Sequence, residues 1–322
     1  MKSLITILFL SSSLFLFAQP QVERQKVIVE VGTGTWCPSC PAVVEIIHDL
    51  LAEGLDIAVV EYHIGDSYEN EGATARHDYY DFPWYPTTYY DSDHIGFDDW
   101  ATYSVHHSYY EDRINTPSSF SVSIDTEIND NAINGTVQIN KIDDYEGSNL
   151  KLQIILTESN IPENWQGETE LDFTERLMFP NGNGTSVDFS TNNNQSVNFD
   201  FTIHPSWVIE NTEIVYFLQD NDTKEILQGD FISIGELLSN GNDITQNKKA
   251  YFYPNPVSQE LFLSAKDLQT VNNIEIYDVL GKKVFSQDVY SSPINVEQLP
   301  QGIYLISYFD NEVKYVSKII KK

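Results

Sequence analysis

The chain has 322 residues, 48 of them acidic against 18 basic, for a formal net charge of −30. At roughly 100–200 residues per domain it holds two or three domains, each large enough for a real core. The charge argues against nucleic acid, because phosphate binding rests on clustered Lys and Arg. It reads as a solvated acidic surface, and Lys314, Lys318, Lys321 and Lys322 near the C-terminus read as strand-end charges.

The first residues read as a signal peptide. Lys2 is a positive start, Leu4 to Phe17 is apolar apart from Thr6 and three serines, and Ala18-Gln19 places cleavage after Ala18. A membrane-spanning helix is the competing reading. The run is shorter than the roughly 20 residues a span needs, however, and has no basic stop-transfer flank. No later segment reaches that length, so the mature chain is expected to lack a transmembrane segment. Only two cysteines, Cys37 and Cys40, occur in this exported chain. That is too few for a disulfide framework, so the pair needs a local explanation.

Residues 26–116 alternate strand and helix. Lys26 to Val31 is a short β-branched run bounded by Gly32 and Gly34, and reads as a buried strand. Val43, Ile47, Leu50 and Leu51 then set one apolar stripe on a helix, with Gly54 where it would end. Residues 55–64 read as a second buried strand, so the opening is a crossover that joins parallel strands. Between Gly65 and Pro86 the chain is polar and aromatic, an inserted helical or looped excursion. Residues 86–91 resemble a further strand, and 98–113 a closing helix capped by Asp98 or Asp99.

After Pro117 the texture changes. Short alternating segments at 118–128, 132–142, 150–157, 171–179, 195–203, 214–218 and 226–234 are separated by Asn, Gly and Asp clusters, a pattern that predicts a β-sandwich. Residues 237–250 read as a polar linker, and 251–322 as a further small sandwich. The expected organisation is therefore a signal peptide over 1–18, an α/β domain over 19–116, an all-β middle domain over 117–236, the linker, and an all-β C-terminal domain.

Trp36-Cys37-Pro38-Ser39-Cys40-Pro41 lies just after the first strand and at the start of the helix. A thiolate, not a thiol, attacks disulfides, and unpaired N–H groups at a helix N-terminus favour the negative form of Cys37. Cys37 is the expected attacking sulfur; Cys40, one turn deeper, resolves the mixed disulfide. An inert disulfide and a metal site are the alternatives. Structural zinc usually takes four ligands, and His63, His77, His94, His106 and His107 have no convincing spacing to supply them, so no metal is expected. The aromatics of residues 79–90 either fill a core or, through Trp84 and Tyr85, touch a substrate.

This motif after an apolar strand, with a later proline before another strand, resembles the thioredoxin superfamily. The resemblance implies a thioredoxin-like fold and a redox-active disulfide that needs no other cofactor. It implies that Pro86 is cis and packs beside the cysteines, and that Tyr85 offers backbone hydrogen bonds to a substrate, with Trp36 alongside. It also implies a buried acid that moves protons beneath the pair. Glu30 is the nearest equivalent, and its other reading is an outward strand-edge carboxylate. Protein thiols or disulfides would be the partners. Gly34-Thr-Trp-Cys37 together with Glu175-Arg176-Leu-Met-Phe-Pro-Asn-Gly182 and Val215-Tyr-Phe-Leu-Gln-Asp220 is similar to an outer-membrane thioredoxin-like family named for a twenty-eight-kilodalton protein.

At the C-terminus, Tyr253-Pro254-Asn255-Pro256, Leu261-Phe-Leu263, Ile276-Tyr277-Asp278, Gly281-Lys282 and Leu299-Pro-Gln-Gly302-Ile-Tyr304 resemble the type A sorting domain of type IX secretion. The prolines suit a rigid lead-in to a strand, and Gly281 a hairpin turn. The resemblance implies export through the periplasm to the cell surface or the medium, with the secretion machinery as a partner. A surface adhesion or ligand-binding protein, with the thioredoxin-like unit as a mere scaffold, is the other functional reading.

Overall fold

The computed structural model describes residues 21–129, 132–239, 251–253, 255–264, 271–278, 281–289, 293–310 and 313–322. The predicted signal peptide and most of the predicted linker lie outside the described residues.

β1 (Val27–Thr33) runs through the Cys37–Cys40 turn into α1 (Pro41–Ala52). Pro41 opens the helix at a position whose N–H has no intrahelical partner in any case. The stripe of Val43, Ile46, Ile47 and Leu50 lies on Val27, Val29, Val31, Ile57 and Val59. Gly54, at φ 78°, reverses the chain into β2 (Ile57–His63). β1 and β2 pair in parallel from Val27↔Ile57 to Thr33↔His63, as a crossover requires. The aromatic excursion folds as α2 (Glu71–Tyr80), capped by Asn70, which accepts from the N–H groups of Gly72 and Ala73. β3 (Thr87–Tyr90) runs antiparallel to β1, and β4 (Asp93–His94) pairs with β3. α3 (Tyr103–Ile114) covers the same face as α1. It starts later than expected: Thr102, not Asp98 or Asp99, holds the N-cap position, without a side-chain capping bond, and residues 96–102 form two successive turns, Asp99 N–H to Gly96 O and Thr102 N–H to Asp99 O.

The middle of the chain supplies β5 (Phe120–Asn129), β6 (Ala132–Lys141), β7 (Leu150–Glu158), β8 (Ile161–Trp165), β9 (Glu168–Leu171), β10 (Thr174–Phe179), β11 (Thr185–Val187), β12 (Asn194–Thr202), β13 (Thr212–Asp220) and β14 (Ile226–Ser233), followed by α4 (Ile234–Ser239). These strands are not confined to a sandwich of their own. One mixed sheet runs β14-β13-β7-β10-β2-β1-β3-β4, with β11 beside β7. Its seam is a parallel contact in which Thr174 stands opposite Glu61 and the Glu61 N–H donates to Phe173 O at 2.8 Å.

The reason is burial on both sides of the central strands. Leu152, Ile154, Ile214 and Leu218 meet Phe120, Val122, Ile133 and Ile139 of the separate β12-β6-β5 sheet. On the opposite face, Ile155, Val215 and Phe217 meet Ile28, Val60, Tyr62 and the α2 residues Ala73 and Tyr80. A strand sealed on both faces reads as a continuous apolar run, as Ile154-Ile155-Leu156 and Val215–Leu218 do. The sandwich layer is thus present, but its second layer is the far end of the α/β sheet.

The C-terminal part contains β15 (Tyr251–Tyr253), β16 (Glu260–Ser264), β17 (Val271–Asp278), β18 (Lys283–Val289), β19 (Ile294–Asn295), β20 (Gly302–Asp310) and β21 (Val313–Lys321). They form the sheets β15-β16-β19 and β18-β17-β20-β21, closed over Phe252, Leu261, Ile274, Ile306 and Tyr308. Gly281, at φ 79°, turns β17 into β18. Among the described residues, no helix is long and apolar enough to cross a membrane.

Candidate active site

The cysteine turn begins where β1 ends. The Cys37 N–H donates to Gly34 O at 2.9 Å, and Cys40 is the N-cap of α1. The two sulfurs form a disulfide, with Cα atoms 5.5 Å apart. Trp36 precedes them, 48% exposed. Its indole N–H donates to Ile64 O at 2.6 Å and its ring lies over Gly34 and Gly65. A Cβ on Gly34 would stand 2.8 Å from that carbonyl oxygen, so only glycine leaves room for the indole. Trp36 meets Tyr85 edge to face at 5.3 Å, and the Tyr85–Pro86 peptide is cis. Tyr85 packs against the cluster that contains both cysteines. Trp84 is not brought to it; its ring faces His94 and Phe97.

Glu30 is also elsewhere. Its position alternates with Val29 and Val31, which α1 covers, so it points to the opposite face, beneath α2. There it accepts from Arg76 Nη2 at 2.6 Å, Tyr62 OH at 2.8 Å and Tyr80 OH at 2.5 Å. It is fully buried, so the strand-edge reading does not hold.

The carboxyl on the α1 face is Glu61, opposite Val31 in register and 1% exposed. Sequence reasoning passed over it. Burial, reinforced by the charge of Asp172, pushes it up to about 8. Two residues on, His63 continues the same face, at the end of the strand where the cysteine turn begins. Its Nε2 lies 3.8 Å from Glu61 Oε2, too far for a hydrogen bond. Thr33 Oγ1, Glu61 Oε1 and His63 Nε2 are all buried without a hydrogen-bond partner. His63 Nδ1 is 2.8 Å from Asp66 Oδ2, which also accepts from the Thr35 N–H at 2.8 Å. A buried polar strip therefore leads from Glu61 to the loop just before Cys37. Burial pushes the Asp66 carboxyl up, but the hydrogen bonds from His63 and the backbone outweigh it and hold the group low.

The other histidines considered as ligands have different occupations. His106 bonds Tyr90 OH and Trp100 O, His77 stacks on Tyr85, His94 on Tyr89, and His107 lies near Glu53 and Glu111. Among the described residues no group of three or more His, Cys, Asp or Glu is placed to hold a metal.

One element was not expected at all. The β8–β9 hairpin lies over the disulfide, with Trp165 and Leu171 in one apolar cluster with Cys37 and Cys40, which are only 2% and 1% exposed. Gln166 Nε2 donates to Thr35 O at 3.1 Å, and Tyr68 OH donates to Glu163 at 2.8 Å. At the hairpin base, His48 of α1 stands 3.1 Å from Asp172. Gln166-Gly167, with φ 44° and 106°, is the signal that could have revealed the turn.

Residues 251–322 match the family described as the secretion system C-terminal sorting domain. No curated protein matches the chain. Among solved structures, HBP35 of Porphyromonas gingivalis is similar with a TM-score of 0.57 at 14% identity, over 94% of this chain and 99% of that one. A protein of Agrobacterium tumefaciens matches with a TM-score of 0.39 at 14% identity, over 68% of this chain and 96% of its own. A domain of the outer membrane lipoprotein Omp28 from Porphyromonas gingivalis matches with a TM-score of 0.26 at 18% identity, over 36% of this chain and 88% of its own. The chain thus combines an HBP35-like fold and a Cys-x-x-Cys disulfide with a type IX sorting domain that directs it to the cell surface or the medium.

Proposed function

We propose that the protein is an exported thiol–disulfide oxidoreductase acting on protein thiols or disulfides through Cys37 and Cys40. The observation that carries this reading is the placement of the pair at the junction of β1 and α1, with Tyr85 packed on the cluster that holds both cysteines and Trp36 edge to face against Tyr85. A partner thiolate attacks Cys37 Sγ, the Cys37–Cys40 bond breaks, and Cys40 leaves as a thiolate. A second partner thiol then displaces Cys37 and takes the new disulfide away. Two thiols are oxidised and one disulfide reduced; the reverse sequence transfers the disulfide to the partner. Of the two buried strand acids, Glu61 suits the proton-carrying role better than Glu30, because it lies on the face that α1 covers, whereas Glu30 is paired with Arg76 on the other face.

A second reading is favoured by one observation: both cysteines are nearly sealed from solvent. An inert disulfide in a surface-binding protein would look the same. Thiolate titration of Cys37 in Cys40→Ser, by ultraviolet absorbance and alkylation rate against pH, separates the two. A pKa below the free value of about 8.5 with fast mixed-disulfide formation supports exchange; a value at or above it with slow alkylation supports the binder.

A further inference from the structure

We propose that the β8–β9 hairpin is the specificity element of this site. It is a displaceable cover that excludes small thiols and admits a protein segment whose apolar side chains replace Trp165 and Leu171 over the disulfide. The inference rests on the exchange reading and adds to it the substrate class: a cysteine flanked by apolar residues in an extended or loosely folded chain.

Three observations carry it. The first is the occlusion itself: an attacking sulfur must approach Cys37 along the line of the bond, and Cys37 is only 2% exposed, in one buried cluster with Trp165 and Leu171. The second is how the hairpin is held. β8 and β9 hydrogen-bond as a sheet of two strands, apart from the large sheet. A two-stranded hairpin is at best marginally stable alone, so its position depends on the cluster around the cysteines and on the few polar ties at its tip and base. Left-handed residues stand at both ends, Asn160 at φ 55° and Phe173 at φ 50°, where the chain leaves β7 and enters β10. The third is the chemistry of the cover. It is apolar where it joins the cysteine cluster, through Trp165 and Leu171, which are buried, and polar on its outer side, where Asn164, Glu168 and Glu170 are exposed. Lifting it exposes an apolar surface together with the disulfide, and a segment bearing matching apolar side chains compensates for that exposure. A small hydrophilic thiol does not.

The step balances as in the exchange above: two thiols of the incoming molecule, or two molecules of a monothiol, become one disulfide as Cys37 and Cys40 are reduced. The test compares reduction of the full chain's disulfide by reduced glutathione and by a synthetic peptide with one cysteine between leucine and phenylalanine. Wild type is compared with the double variant Trp165→Ala/Leu171→Ala. Glutathione is expected to reduce the variant about tenfold faster than wild type or more, because loss of two buried apolar side chains favours opening. The preference of wild type for the peptide should collapse in the variant. Equal glutathione rates in the two proteins would overturn the proposal. A folded variant reduced faster by glutathione, yet unable to pass its disulfide to a dithiol protein substrate, would leave the cover in place and sink the exchange reading instead. If the variant does not fold, hydrogen exchange on wild type decides. Amides of residues 161–171 should exchange far faster than those of β7, and protection equal to that of β7 would contradict a displaceable cover.

Discussion

Arg76 Nη2 stands 2.6 Å from Glu30 Oε1, in an interior where each side chain is 1% exposed. The guanidinium also reaches Gln219 at 3.0 Å and stacks on Tyr80, so the pair ties β1 to α2 and, through β13, to the middle of the chain. Removing one partner leaves the other charge buried and uncompensated. Arg76→Ala is therefore expected to cost about 3–5 kcal/mol in urea unfolding. The paired variant Glu30→Gln/Arg76→Met should recover much of that loss. A cost near zero for Arg76→Ala would show that the pair does not hold the two halves together.

The pH dependence of stability follows from the buried carboxyls. Burial, with the charge of Asp172 adding to it, raises Glu61 from 4.5 to about 8. Burial raises Glu175 to about 7 against the opposing charge of Arg176, and Glu213 to about 7 with help from Glu236. Each carboxyl holds its proton in the folded chain over a range where the unfolded chain has lost it. Stability should therefore fall as pH rises from about 4.5 towards 8. Urea midpoints across that window are expected to drop, and Glu61→Gln should flatten the drop by a few kcal/mol at most. The same variant should remove any inflection near the Glu61 pKa from the pH profile of exchange. A midpoint that climbs over this window would contradict the assignment.

His48 and Asp172 join α1 to the base of the hairpin. The hydrogen bond to Asp172 raises the His48 pKa above 6.5, although partial burial opposes it. The contribution of the pair is complete below the unfolded pKa and is lost as pH rises through the folded one. His48 is half exposed, so the pair is worth less than about 1 kcal/mol. Hydrogen exchange in residues 161–171, corrected for intrinsic rates, should show modestly more opening at about pH 8 than at about pH 6 in wild type. The difference should vanish in His48→Ala, and its persistence there would remove His48 from the account.

Much of the site could be read from residues 27–54, because its determinants are local. An apolar run, two glycines, Pro41 and a helical stripe fix where the cysteines fall. What was hidden depends on partners distant in sequence. Glu30 and Glu61 look alike as acids within β-branched runs, and only the face that α1 covers tells them apart. β7 and β13 carry the signal of double-sided burial in their unbroken apolar runs, yet nothing in those runs names β10 and β2 as the seam. Ile161-Pro-Glu-Asn-Trp165 lacks clear alternation, so nothing in the sequence marks β8 as a strand or as a cover on the disulfide. Residues 171–179 read as one strand in sequence because Phe173, which breaks the run at φ 50°, is a residue that strands favour.

The central claim is that Cys37 forms a covalent bond with a partner and Cys40 releases it. Its most direct measurement is trapping: the full chain as Cys40→Ser, and separately as Cys37→Ser, is incubated with a disulfide-bonded peptide and resolved by non-reducing mass spectrometry. The account predicts that Cys40→Ser accumulates a mixed disulfide on Cys37, while Cys37→Ser accumulates far less and wild type none that persists. Equal trapping by both variants, or none by Cys40→Ser even with Trp165 and Leu171 replaced by alanine, would contradict it.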